Sequence, residues 1–181
     1  MGYFDDYEKD IEDAKRPLTK RFNAKGTFTF AVMLTKMQPP RKPGGGDSFV
    51  VELLTLSTTA PEQEVGARTS WVSKMAWDGT LGDMKSFAAG VTGARFEDIK
   101  KPHLNAMVEV KRDENGVPLK DGKNTIPLNK LYKRLVRCRV YETVNPENGK
   151  VFTKHEWSVV PAADVKKMEQ IRDELLREAS A

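Results

Sequence analysis

The stretch that most limits what this chain can become runs from Gly66 to Val91, where a strand-like run passes through a tight turn into a helix. Gly66–Trp77 places two tryptophans among basic and hydroxyl residues. Its odd positions (Thr69, Trp71, Ser73, Met75, Trp77) and its even positions (Arg68, Ser70, Val72, Lys74) are both mixed. That pattern fits a strand with one face over a core and the other turned to a ligand. Asp78-Gly79 turns the chain, with Thr80 as N-cap candidate and Asp83 three residues beyond it. Leu81, Met84, Ala88 and Val91 then recur at helical spacing with Phe87 beside them, and Gly90 and Gly93 offer the stop.

Two more strands precede this unit and two follow it. Thr27–Met37 alternates, with Phe28, Phe30, Val32 and Leu34 on one face. Gln38–Asp47, with three prolines and three glycines, breaks regular structure. Ser48–Thr58 is apolar on both faces except Glu52, which predicts a central strand. Leu135–Val144 sends Val136, Cys138 and Val140 inward and Arg137, Arg139 and Tyr141 outward. It joins Val151–Val159 through the turn 145–150. Residues 94–131 read as an excursion, with a helical turn at Phe96–Ile99 and a short strand at Leu104–Val110. After Pro161, Val165, Met168, Ile171, Leu175 and Leu176 form the stripe of a helix that packs on its own domain. The expected organisation is an arm over 1–20, one domain over 21–160 and a C-terminal helix over 161–181.

Charge is unevenly placed. Residues 1–13 hold six acids against one base, net −5, which leaves +9 for the rest of a chain whose net charge is +4. A basic body with an acidic appendage points to a polyanionic ligand and something acidic competing for it. No apolar run approaches a membrane span, the start lacks a signal-peptide layout, and one cysteine excludes an internal disulfide. The expectation is a cytoplasmic protein without a membrane association.

Three strands, a helix and two strands is the order of the five-stranded oligonucleotide-binding (OB) barrel, here with an added C-terminal helix and an acidic N-terminal arm. The sequence also resembles the single-stranded DNA-binding proteins encoded by bacteriophages. The resemblance rests on Val65-Gly66, on Leu81–Phe87 with Gly93, and on Asn148–Lys154 leading to Glu156-Trp157. It implies sequence-independent coating of exposed single strands in replication or recombination, without catalysis or cofactor. Replication or recombination proteins would be partners, and a homodimer stays open. Bacterial relatives end in an acidic tail, whereas this chain ends Leu176–Ala181 and carries its acids at the other end.

The expected interface is one wall of the barrel. Lys36, Arg41, Lys42, Arg68, Lys74, Lys133, Arg134, Arg137 and Arg139 would neutralise phosphates. Trp71, Trp77 and Tyr141 would stack on bases, with Tyr132 and Trp157 as further candidates. Two other readings stay open. One is a protein-interaction module on the same barrel. The other is a metal-dependent nuclease, because Asp98, Glu109 and Lys111 imitate a restriction-type spacing. His103 and His155 lie too far apart in sequence to suggest a zinc site. Cys138 reads as core. Gly44–Gly46 lacks the Lys-Ser/Thr ending of a phosphate loop.

Overall fold

The structure, a computed structural model, describes residues 20–22, 24–40 and 42–181. The acidic arm falls outside them. Among the described residues eight strands and three α-helices follow one another as β1 (Lys20–Arg21), β2 (Gly26–Gln38), β3 (Ser48–Thr58), β4 (Arg68–Lys74), α1 (Thr80–Thr92), α2 (Lys101–Met107), β5 (Lys120–Asp121), β6 (Asn124–Thr125), β7 (Leu135–Val144), β8 (Val151–Ser158) and α3 (Ala162–Glu178). The protein is mainly β, built on the antiparallel sheet β4-β3-β2-β7-β8, to which β1 adds a parallel two-residue pairing on β4. Among the described residues no helix is long and apolar enough to cross a membrane.

In a flat sheet β4 and β8 would lie about 19 Å apart, four strand spacings. Instead the Trp71 ring of β4 and the Trp157 ring of β8 meet with centroids 5.0 Å apart. The sheet therefore curls until its two edges face each other across a core of Phe28, Phe30, Phe49, Val51, Phe87 and Val136. Phe22 spans the seam. Its N–H donates to the Ser70 carbonyl at 2.8 Å, and its own carbonyl lies 3.1 Å from His155 Nε2. Its ring is 1% exposed and meets Phe28 and Phe30 edge-on.

Several local expectations are corrected. In β2 a register shift between Val32 and Leu34 turns Thr35 inward in place of Leu34. Thr35 is fully buried, and its hydroxyl donates to the Met107 carbonyl, so the bulge reconciles a polar side chain with the core. Strand β4 stops at Lys74, which leaves Met75 and Trp77 in the following turn. The N-cap of α1 is Gly79 at φ 89°, not Thr80. Thr80 is buried and donates to the Lys74 carbonyl at 2.5 Å, while Ser73 donates to the Thr80 hydroxyl at 3.0 Å. These bonds set the rotation of the helix, so Thr80, Met84, Phe87 and Ala88 face inward and Leu81 is left 58% exposed. Gly93 closes α1 with φ 76°, as its position predicts. The strand expected at Leu104–Val110 is instead the helix α2 and its end, with Met107 in the core. Beyond it, β5 and β6 form a separate hairpin.

β3 is central, as read, and is buried on both sides. Phe49, Val51 and Leu53 line the interior. Leu54 and Leu56, with Ala31 and Met33 of β2, form a second cluster outside, which α3 covers through Met168, Val165, Ile171 and Leu175. On the other side α1 lies against β8. At Gly90 an added Cβ would come within 2.9 Å of Ser158 N and 3.1 Å of Trp157 Cβ, whereas at Gly82 it would meet nothing within 4 Å. The two glycines therefore predict opposite outcomes in thermal unfolding. Gly90→Val should cost roughly 1–3 kcal/mol through overpacking. Gly82→Ala should stabilise by up to about 1 kcal/mol through helix propensity.

Candidate nucleic-acid interface

Strand register decides which cations share a surface. On the outer face of the sheet Lys36 stands opposite Val50, and Val50 opposite Val72. One pair along, Gln38 faces Ser48 and Ser48 faces Lys74. Trp77 projects 46% exposed from the turn after β4, with the Lys74 ammonium 5.5 Å from its ring centroid. The loop before β3 is tied to the same turn, because Met75 N–H donates to the Asp47 carbonyl at 2.8 Å. That tie sets Gly46 against Ala76, and exposed Lys42 lies in the same loop. Lys36, Lys42, Lys74 and Trp77 thus gather at one end of the β2–β4 outer face. Asp47 and Asp78 lie in the same loops, and Glu52 on the same face as Lys36, so the surface is cationic but not uniformly so. Arg68 shares the outer face of β4 but sits at its far end, beside Leu54. Arg41 lies outside the described residues.

The remaining basic residues form two other groups. Arg137 and Arg139 stand on the outer face of β7, opposite Thr29 and Thr27 of β2. Tyr141 continues this face, with the Arg139 guanidinium 5.3 Å from its ring and Lys154 of β8 opposite. Glu156 faces Arg139 and offsets part of its charge. Lys133 and Arg134 belong to the turn before β7, where Lys133 takes a left-handed φ of 66° and its carbonyl accepts from Arg172 Nη1 at 2.9 Å. The single wall expected from sequence is therefore three separate patches.

Trp71 is not a stacking residue. It pairs with Val51 on the inner face, is 5% exposed, and packs against Phe49, Phe87 and Trp157. Trp157 is 6% exposed and equally internal. Tyr132 is 47% exposed, as is Phe152 in the β7–β8 hairpin, a residue the sequence reading passed over. Phe152 pairs with Thr143 on the same outer face as Tyr141. The signal for it was present: an aromatic two positions from Lys154 in an alternating strand.

Both acids of the nuclease reading are held in ion pairs. Asp98 pairs with Arg95 at 3.1 Å, and Glu109 pairs with Lys130. Among the described residues no group of three or more His, Cys, Asp or Glu is placed to hold a metal ion. Cys138 is buried, and burial raises its thiol far above the ordinary range, so it stays protonated as a core side chain. His103 Nδ1 accepts the Lys100 N–H at the start of α2. In the first turn of α1 Asp83 has its carboxyl raised, chiefly by desolvation, against the lowering effects of the Ser73 hydroxyl, His155 and Lys154.

No protein-family model matches the chain, and no curated protein matches it. With Trp71 and Trp157 internal, Trp77 should supply nearly all tryptophan fluorescence accessible to iodide. Replacing it by Phe should abolish most iodide quenching, while the parent shows a quenchable and a protected fraction. Uniform quenching of all three tryptophans would contradict the placement.

Proposed function

We propose that the protein binds single-stranded DNA without reading its sequence, protecting exposed strands during replication or recombination. The order β2, β3, β4, α1, β7, β8 follows the OB barrel, and the curled sheet with α1 against β8 supports that architecture. OB barrels hold oligonucleotides on the face of their second and third strands, between two loops. Those strands correspond to β3 and β4, and the loops to residues 39–47 and 145–150.

One observation carries the reading: the exposed Trp77 ring beside the Lys74 ammonium, at the mouth of that face. A base stacks on the indole while Lys74, Lys36 and Lys42 take phosphates. The Arg139–Tyr141 surface is a second contact for a strand long enough to follow the barrel round. Discrimination against other strands of equal length is not built in, because stacking and charge neutralisation tolerate any base.

An anisotropy titration with fluorescently labelled, unstructured oligonucleotides tests this. Each stacked base contributes roughly 1–3 kcal/mol, so Trp77→Ala should weaken binding about 5- to 150-fold. Three neutralised phosphates give a slope of log K against log salt of about −2, and Lys74→Ala should reduce its magnitude by about 0.7. Parental affinity in Trp77→Ala together with an unchanged slope in Lys74→Ala would overturn the assignment.

A further inference from the structure

At the opposite end of α1 from Trp77 lies a groove the reading above does not use. A cavity of about 410 Å³ opens between α1, the 132–135 turn and α3. A second, of about 300 Å³, lies between α1, Phe96 and the end of β8. They share Gly90, Gly93 and Val159, so they are two halves of one groove floored by glycine. Its sides are aliphatic, from Val91, Leu135, Val160 and Val165. Each end carries an exposed aromatic under a lysine: Phe96 with Lys85 at 4.3 Å, Tyr132 with Lys133 at 5.4 Å. Arg134 adds a third cation, and Glu169 is the acid on the lining. Arg172 is engaged with Asp173 and the Lys133 carbonyl.

An apolar floor between cationic ends selects a ligand with buried carbon along its length and acids beside it. We propose that the occupant is the chain's own segment 3–13. It carries Tyr3, Phe4, Tyr7 and Ile11 together with six acids and one lysine. Its carboxylates meet Lys85, Lys133 and Arg134, and its rings and Ile11 cover the valines and glycines. The reach is sufficient. Residues 13 to 20 span up to about 25 Å when extended. The described chain begins at β1 and places Phe22 against His155, and Val159, just past the end of β8, lies about 13 Å beyond His155. The docking is independent of nucleic acid binding, because Trp77 lies beyond the other end of α1.

The test uses the full chain with Gly2→Cys carrying a paramagnetic nitroxide, which the buried Cys138 does not take up, observed by amide NMR. Docking predicts that Gly93, Ala94 and Val159 lose most of their intensity while the Trp77 turn keeps its own. High salt, or Lys133→Glu with Arg134→Glu, should restore the lost peaks, and the amide spectrum itself reports whether that variant is folded. Diluting the labelled chain into an excess of isotope-enriched unlabelled chain should abolish the effect, since the contact is within one molecule. Broadening centred on Trp77 and Lys74 would mean that the acids compete for the nucleic-acid face instead. Broadening that survives dilution would assign the groove to a second copy, and no localised broadening would mean the groove does not hold this segment. Any of the three overturns the proposal. An oligonucleotide that shifts the groove amides but not Trp77 would overturn it as well, by making the groove the strand's own path.

Discussion

The structure depends on the packing of aromatic rings across the seam where the sheet's two edges meet. Trp71 and Trp157 come from β4 and β8, the outer strands of the five-stranded antiparallel ladder, and Phe22 and His155 join them. Their contact sets the curvature, and the curvature sets everything outside it. With the interior filled by these rings, α1 packs against β8 at Gly90, and the outer face of β2–β3 is left to α3. Large rings suit this task because each buries much apolar area and edge-to-face pairs add attraction beyond area. The buried Trp157 indole N–H there has no hydrogen-bond partner among the described residues.

The same seam explains why the outer surface is divided. A strand offers two faces, and curling commits one of them to the core. Once Trp71 and Cys138 point inward, Arg68 and Lys74 must point outward on β4, and Arg137 and Arg139 outward on β7. These strands are separated by β3 and β2, whose outer middle is covered by α3. Cations that look contiguous in composition therefore end up around the circumference. Those at the Lys74 end of β4 share a patch with the exposed Trp77 indole.

Much of the element order was legible. The alternation in Leu135–Val144, the hairpin after it, the central β3 and the amphipathic α3 all appear at the expected places. Each has a strong period or a flanking turn. Legibility failed where local signals were ambiguous. Leu104–Val110 has an apolar content that suits either element, and the Lys100–His103 pairing at its start favours a helix. Thr80 looked like a cap because threonine commonly is one, but Gly79 accepts the left-handed backbone and frees Thr80 to bond the end of β4. Of the residues expected at the interface, Trp77, Lys74 and Lys36 come to one end of the outer face, whereas Trp71 turns into the core, and Phe152, exposed, had not been singled out.

What the sequence by itself determined is the chain's menu of elements and their relative faces: periods of two and of 3.6, glycine stops and proline breaks act over a few residues and need no partner. Which face of β4 turns inward, how α1 is rotated about its axis, and which lysines stand together were decided only by the tertiary structure. Alternation distinguishes odd from even positions but does not say which set is inside. That choice falls to the neighbouring strand, here Val51 beside Trp71, and to the rings of β8 waiting across the seam.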